Sequence, residues 1–116
     1  MTYKFDKDKY ITCGIQAKVP QFIITMLWHY IIKHVERSAD AGQDVDYLQV
    51  FKLSVNRADN TVTIKHTQEQ PEYGTEYKIT PLDSEAMPYD WNGVHGITIF
   101  VIDDISHATM LLSHEY

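Results

Sequence analysis

The chain has 116 residues, of which 44% are hydrophobic and 22% are charged, and its formal net charge is −6. This length predicts one domain, 1–116, with one hydrophobic core, because domains most often run roughly 100 to 150 residues. Phosphate backbones are bound mainly through Lys and Arg. Ten basic residues against sixteen acidic ones therefore disfavour direct nucleic-acid binding.

The N-terminal segment and the cysteine content both favour a cytoplasmic protein. The first nine residues alternate in charge and lack the apolar core of a secretory signal. Cys13 is the sole cysteine, so no internal disulfide can form, and its neighbours predict a plain buried thiol. The apolar stretch 19–35 is interrupted by polar residues and is too short for a membrane span. We therefore predict no membrane partner.

The first predicted elements are a short strand and a long amphipathic helix. Residues 10–13 are rich in β-branched and aromatic side chains and are followed by Gly14, which predicts a strand that stops there. Pro20 suits the first turn of a helix. Apolar residues then recur at helical spacing and form the predicted core stripe, which consists of Ile23, Met26, Leu27, Tyr30, Ile31 and Val35.

A second apolar row makes the apolar arc of this helix unusually wide. Ile24, Trp28 and Ile32 form that row at i, i+4 and i+8. The width predicts cover on more than the sheet-facing side, and we favour a long loop within 82–96 over a second subunit. If a subunit provides the cover, these three residues are the oligomer interface. A possible homodimer, or a homo-oligomeric structural protein, is accordingly one alternative.

The rest of the chain predicts consecutive strands joined by short turns. In the first of them the apolar phase slips after Val50, which indicates a bulge or burial on both faces. Val62 and Ile64 point inward in the second, as part of a hairpin. The predicted strands are 47–55, 61–66, a shorter one around 77–79, 97–102 and 109–112. This order predicts a two-layer α+β domain, with one long amphipathic helix on one face of a mostly antiparallel five- to six-stranded sheet.

Several segments resemble a bacterial family called domain of unknown function 960. They are DYLQVF at 46–51, QEQPEY at 68–73, VIDD at 101–104, TMLL at 109–112 and EY at 115–116. The resemblance runs from residue 10 to the last residue, in the same order. Members are small Firmicute proteins, and some occur in phages. The resemblance implies no activity, substrate or catalytic residue, and the stretch 84–96 looks longer than the family's usual connection.

Asp103, Asp104 and His107 form the cluster most like a catalytic site. Carboxylates beside an imidazole can hold a metal or exchange protons, so a small metal-dependent hydrolase is a second alternative. We favour a hairpin turn, because Asp caps backbone amides in turns and adjacent strand residues point to opposite faces. Ser106 and His107 are not expected to meet as nucleophile and base. The six histidines follow no metal-ligand spacing, so we predict no catalytic residue, metal or other cofactor.

Carboxylates and aromatic residues concentrate in the second half of the chain. An acidic surface with Tyr and Trp anchors suits a basic protein partner, for example a nucleic-acid enzyme. The predicted partner-binding residues are Glu69, Glu72, Tyr73, Glu76, Tyr77, Asp83, Glu85, Tyr89, Asp90 and Trp91. The leading hypothesis is a non-enzymatic protein-interaction module. Its sharper form is a phage-type acidic inhibitor of a host nucleic-acid-handling protein such as a CRISPR nuclease, that is, an anti-CRISPR.

Overall fold

The computed structural model describes residues 2–80 and 91–116, with the backbone alone at 91 and 92. The helices and strands in chain order are β1 Asp8–Ile11, α1 Cys13–Lys18, α2 Gln21–Asp40, β2 Leu48–Asn56, β3 Thr61–Gln68, β4 Tyr73–Ile79, β5 Thr98–Asp103 and β6 His107–Leu112. Two short 3-10 turns follow β4 and β6, at Trp91–Val94 and Ser113–Glu115. Within the described residues, no helix is long and apolar enough to cross a membrane.

The strands form one open sheet of six strands in the order β1-β6-β5-β2-β3-β4. Every neighbouring pair is antiparallel except β1 and β6, which are parallel. The sheet is therefore mixed but mostly antiparallel. Together with the long helix α2, it confirms the predicted α+β class.

The short helix α1 was not predicted, and it corrects the expectation for Cys13. The strand ends at Ile11 because the Thr12 side chain caps a helix, its hydroxyl oxygen accepting the Ile15 N–H at 3.2 Å. Cys13 is the first residue of that helix and is exposed, whereas Ile15 points into the core. The predicted burial of the thiol was wrong, since the chain leaves the strand two residues earlier than expected.

Helix α2 covers one face of the sheet, and the core lies between the two layers. Ile23, Leu27 and Ile31 of the helix are fully buried, as the stripe predicts. They meet the inward-pointing strand residues Phe51, Leu53, Val62, Ile64, Ile99, Val101 and Met110. This contiguous apolar cluster is the main stabilising feature of the fold.

The phase slip in β2 comes from burial on both faces at the start of the strand, which is one of the two predicted causes. The strand pairs continuously with β3 and β5, and its burial alternates regularly, so the predicted bulge was wrong. Gln49 takes an inward position in the same phase as Phe51 and is fully buried. Leu48 and Val50 point to the opposite face of the sheet, where they are half-buried. The buried Gln49 and the half-buried Leu48 and Val50 together produce the apparent change of phase.

Candidate functional site

A buried chain of imidazole and amide side chains links α2 to β2 and β3 on the covered face. Its members are His34, Gln49, His66 and Gln68, all less than 5% exposed. The Gln68 side-chain oxygen lies 2.9 Å from His34 Nε2 and 2.8 Å from Gln49 Nε2. The Gln49 oxygen in turn lies 2.7 Å from His66 Nε2. We call these four residues the buried network.

Burial favours the neutral form of both imidazoles in the buried network. An amide oxygen only accepts hydrogen bonds, so His34 and His66 both donate from Nε2 and carry no hydrogen on Nδ1 when neutral. Burial lowers the pKa of His66 to about 3, and it lowers the pKa of His34 as well. Among the described residues, His66 Nδ1 has no hydrogen-bond partner. The network therefore fixes the helix on the sheet as an uncharged unit.

The buried network leads to one end of the sheet, where Asp46 joins two segments. Its main-chain N–H donates to the Gln68 oxygen at 2.9 Å, so the start of β2 is tied to the end of β3. The Asp46 carboxylate accepts the N–H of Tyr47 at 2.8 Å and that of Gln70 at 3.1 Å. Gln68 Nε2 donates to the Pro71 carbonyl at 2.8 Å. The turn between β3 and β4 is thereby held beside the start of β2.

Two tyrosines lie at this end of the sheet, with a cavity on each side of them. The Tyr3 and Tyr47 ring centroids are 6.0 Å apart with their planes at 61°. One cavity, of about 570 Å³, is lined by Tyr3, Gln43, Asp44, Asp46, Tyr47, Gln70 and Pro71. The other, of about 390 Å³, is lined by Tyr3, Tyr47, Ile102, Asp103, Asp104 and Ile105. Both cavities combine aromatic walls with carboxylates.

We call this region the acidic end, which consists of Tyr3, Asp44, Asp46, Tyr47, Glu69, Asp104, Ile105 and Tyr116. Tyr47 is 41% exposed and Tyr116 is 69% exposed. The neighbouring Tyr116 is the largest cause that raises the pKa of Tyr47, and the charges of Asp46 and Glu69 contribute to the same rise. The phenol of Tyr47 therefore stays neutral and able to donate a hydrogen bond at physiological pH.

Ile105 is an unusual residue in the acidic end. It is 58% exposed and has a φ of 81°, a conformation that is unfavourable for a β-branched side chain. Asp103 holds it there, since its carboxylate accepts the Ile105 N–H at 2.8 Å. Strained residues of this kind concentrate at binding sites.

The turn from β5 to β6 uses the carboxylates of the predicted catalytic cluster as backbone acceptors. Asp103 is 5% exposed and accepts the Phe5 N–H at 2.9 Å, which anchors the N-terminal segment. Asp104 accepts the N–H groups of Ser106 and His107 at 3.1 and 2.9 Å. The N–H of His107 is the largest cause that lowers the pKa of Asp104. The predicted hairpin turn is confirmed.

Ser106 and His107 do meet, contrary to the expectation from their positions. Ser106 Oγ lies 2.9 Å from His107 Nδ1, but it also lies 2.8 Å from the Asp104 carboxylate. That carboxylate is 3.2 Å from His107 Nε2, so Asp104 contacts both other groups. An ionised carboxylate is the stronger acceptor for the hydroxyl hydrogen. Over the described residues, no three His, Cys, Asp or Glu side chains are grouped closely enough to hold a metal ion.

The predicted partner-binding residues do not form one surface. Tyr73 and Tyr77 point to the helix side of the sheet. The ring centroid of Tyr73 lies 4.2 Å from that of His34, and the ring centroid of Tyr77 lies 3.7 Å from that of Tyr30. Glu76 points to the opposite face of the sheet. Glu69 and Glu72 are exposed in the turn between β3 and β4. Trp91 begins a 3-10 turn, and its side chain lies outside the described residues, as do the predicted Asp83, Glu85, Tyr89 and Asp90.

The predicted oligomer interface is also divided. Ile24 is only 3% exposed and belongs to the chain's own core, so it cannot contact another subunit. Trp28 is half-buried against that core, and Ile32 is 42% exposed. Ile32 borders a cavity of about 500 Å³ between α2 and the N-terminal segment, which Phe5 and other residues line. Most of the loop that was predicted to cover the helix lies outside the described residues.

A family described as "Staphylococcal protein of unknown function (DUF960)" matches residues 8–115 of this chain. The chain belongs to this family. None of the curated proteins matches it. A crystal structure of a protein of unknown function from Enterococcus faecalis is similar over 100% of this chain and 98% of that chain, with a TM-score of 0.74 and 23% sequence identity. At that identity the likeness shows a shared fold.

Three of the segments that resemble DUF960 meet at the acidic end. The segments 46–51 and 68–73 are joined by the hydrogen bonds between Asp46, Gln68 and Gln70. Segment 101–104 joins them through Asp103, whose N–H donates to the Tyr47 carbonyl at 2.9 Å. Segments that are far apart in the DUF960 chain thus build one region.

Sequence reasoning missed the first-half residues of the acidic end. Tyr47 was predicted as the first residue of a strand, and Asp46 was named only in the segment that carries the family resemblance. Tyr3 gave no signal, because its position depends on the hydrogen bond from its N–H to the Val45 carbonyl, at 2.9 Å. The acidic surface was therefore sought in the second half of the chain alone, where Glu69 was the one predicted partner-binding residue that belongs to it.

Proposed function

We propose that this chain is a non-enzymatic protein-interaction module whose acidic end binds a basic surface of a partner protein. The observation that supports this most is the Tyr3 and Tyr47 pair, which stands between two cavities that both carry carboxylates. A guanidinium or ammonium group can bind a carboxylate through a charge-assisted hydrogen bond and an aromatic face through a cation–π contact. A basic side chain of the partner would find both in either cavity.

The net charge supports the same kind of partner. A formal charge of −6 on 116 residues attracts basic surfaces before contact and repels phosphate backbones. Ile105 adds an exposed apolar contact beside the carboxylates. An acidic rim with tyrosine and isoleucine anchors has the composition of a protein interface, in which a few large side chains supply most of the binding energy.

The sharper proposal is a phage-type inhibitor of a host nucleic-acid-handling protein such as a CRISPR nuclease. The acidic end would occupy a basic groove that otherwise binds nucleic acid, and would compete with it. The small size, the charge and the occurrence of the resembled family in phages support this form. Such a partner would place the protein in the bacterial cytoplasm.

The proposal is tested by capture of a partner on purified protein. The wild-type chain and the variant Tyr47→Ala/Asp44→Lys, which changes two residues that line one cavity of the acidic end, are immobilised and exposed to a Firmicute cell extract. The recovered proteins are identified by mass spectrometry. We expect the wild type to recover a basic nucleic-acid-handling protein, and the variant to recover at least about tenfold less. Recovery should fall when the salt concentration is raised from about 0.1 to 0.5 M, since salt screens charge attraction.

Glu36→Lys is the matched control, because Glu36 is an exposed carboxylate of α2 and lines neither cavity of the acidic end. It should recover as much partner as the wild type. Equal recovery by all three proteins, or no basic partner at all, would overturn the proposal. The sharper form is tested separately, by adding the purified chain to a DNA-cleavage reaction of a guide-loaded CRISPR nuclease. Unchanged cleavage would remove that form alone.

A further inference from the structure

The open face of the sheet has a row of side chains that crosses four strands. Cross-strand pairing places Thr67 beside Val50, Val50 beside Phe100, and Phe100 beside Leu111. All four side chains are half-buried and point away from α2. In the described part of the chain no α-helix covers this face, although the Tyr116 ring contacts Phe100 edge to face, with 5.6 Å between the ring centroids. We call these residues the central row.

Charged residues of opposite sign lie on the two sides of the central row. Glu69 lies beyond Thr67 toward the acidic end, and Lys65 lies two residues before Thr67 on β3. Lys52 is the direct cross-strand partner of Lys65, and both are exposed. A groove of about 480 Å³ spans the row, lined by Leu48, Val50, Lys52, Thr67, Gln68, Glu69, Thr98, Phe100 and Ser113. It therefore runs from a carboxylate to an ammonium group.

The basic side of this face is under-compensated within one chain. Like charges directly opposite each other on neighbouring strands are destabilising. Glu76 on β4 is the other cross-strand partner of Lys65. Lys52 has no carboxylate as a cross-strand partner, because it lies between Lys65 on β3 and Thr98 on β5. Lys78 adds a further exposed positive charge on the same face. Carboxylates from outside the chain would fit here.

A two-fold rotation about the central row brings the two sides together. Lys65 lies two positions before Thr67 on β3, and Glu69 lies two positions after it, one residue beyond the end of the strand, where it lines the groove. Rotation by 180° about an axis that lies along the row, between two facing sheets, puts Glu69 of one copy over Lys65 of the other. The same rotation puts Lys65 of the first over Glu69 of the second. The face is therefore complementary to itself.

We propose that two copies of this chain pair through their open faces, with the central rows in contact and the helices outside. Sheets pack face to face at about 10 Å with interdigitated side chains, and Val50, Phe100 and Leu111 supply the apolar centre. The paired Glu69 and Lys65 supply the charged rim. The four strands of the central row, at about six residues each, make a face of about 19 by 20 Å, which is small for a stable dimer and indicates concentration-dependent pairing.

This pairing can be tested apart from the proposed function, although Glu69 belongs to both surfaces, and it places an acidic end at each end of the dimer. It is tested by sedimentation equilibrium over a concentration series from about 1 to 500 μM. We expect the wild-type mass to approach twice the 13.5 kDa chain mass at the upper concentrations. Lys65→Glu and Glu69→Lys should each weaken dimerisation at least about tenfold, because each sets like charges against each other twice per dimer.

The double variant Lys65→Glu/Glu69→Lys decides the matter, because it inverts both charges and should restore the wild-type dimerisation constant within about threefold. Lys33→Glu, an exposed lysine of α2, is the control and should dimerise as the wild type does. A wild-type monomer at every concentration would overturn the proposal. So would a double variant that is as weak as the singles. Capture by the Tyr47→Ala/Asp44→Lys variant tests the proposed function, whereas Lys65→Glu leaves the acidic end intact.

Discussion

The polar side chains on the two faces of the sheet differ in burial and in hydrogen bonding. On the covered face, Gln49 and Gln68 lie in apolar surroundings, and their amide groups bond to other groups of the same chain. On the open face, Lys52, Lys65 and Glu69 are exposed beside half-buried apolar residues. Because the polar groups of the covered face bond within the chain, the buried polar residues of this protein stabilise the fold. The groups that remain available for binding lie on the open face and at the acidic end.

The largest expected effect comes from removing the shared acceptor of the buried network. Gln68→Leu takes away the oxygen that accepts from His34, Gln49 and the Asp46 N–H. Because buried donors without an acceptor cost about 1 to 3 kcal/mol, we expect the free energy of unfolding to fall by about 3 kcal/mol. Urea denaturation at pH 7 measures it.

Thr63→Ser is the control for that comparison, since Thr63 lies on the same strand and faces the other side of the sheet. The change should alter the free energy of unfolding by less than about 0.5 kcal/mol. Similar losses for the two variants would show that the buried network has no special role in stability.

The next effect is a dependence of stability on pH that originates in His66. Its pKa in the folded protein is about 3, below the ordinary 6.5, so the unfolded chain takes up the proton first as the pH falls. The free energy of unfolding should therefore decrease below about pH 6.5, approaching about 1.4 kcal/mol per pH unit for one proton, down to about pH 3. His34 adds to the slope, because its pKa is lowered too.

Urea denaturation between pH 7 and 5 isolates this effect, because most carboxylates remain ionised there. His66→Gln should reduce the slope, whereas His29→Gln, at an exposed position of α2, should leave it unchanged. A wild-type stability that is flat from pH 7 to 5 would contradict the neutral state assigned to both imidazoles.

The smallest effect concerns the strained residue of the acidic end. Ile105→Asn should raise the free energy of unfolding by about 1 kcal/mol, because Asn tolerates a positive φ better than a β-branched residue does. Thermal denaturation measures the change. Ile32→Asn, at an exposed helical position, should bring no gain, since Asn is the poorer helix former. A loss of stability in Ile105→Asn would show that the Ile105 side chain supports the fold.

Helix α2 shows how far periodicity alone could predict the fold. The spacing located the helix and most of its buried stripe, because an amphipathic helix repeats every 3.6 residues whatever it packs against. It did not identify His34 and Ser38 as buried, since a polar side chain enters a core only where another element offers a partner. For His34 that partner is Gln68, which lies 34 positions away in the chain.

The candidate site was predictable only in part for the same reason. The excess of carboxylates and tyrosines pointed to an acidic, aromatic surface, and Glu69 belongs to the acidic end. Tyr73 and Tyr77 were assigned to that surface as well, yet both pack on the helix side because alternate residues of β4 point to opposite faces. Tyr3 belongs to the acidic end because its main-chain N–H donates to the Val45 carbonyl, and such main-chain pairing leaves no pattern in the sequence of side chains.

The α+β class, the long helix, the order of the strands along the chain and the acidic character of the protein could all be predicted from the sequence. These follow from local periodicity, turn chemistry and charge counts, which need no knowledge of distant contacts. Only the tertiary structure decided which segments meet at the acidic end and which polar residues pair inside the core. It also decided which residues share the open face. Those properties depend on pairing between residues far apart in the chain, and such pairing is set by the packing of the whole domain.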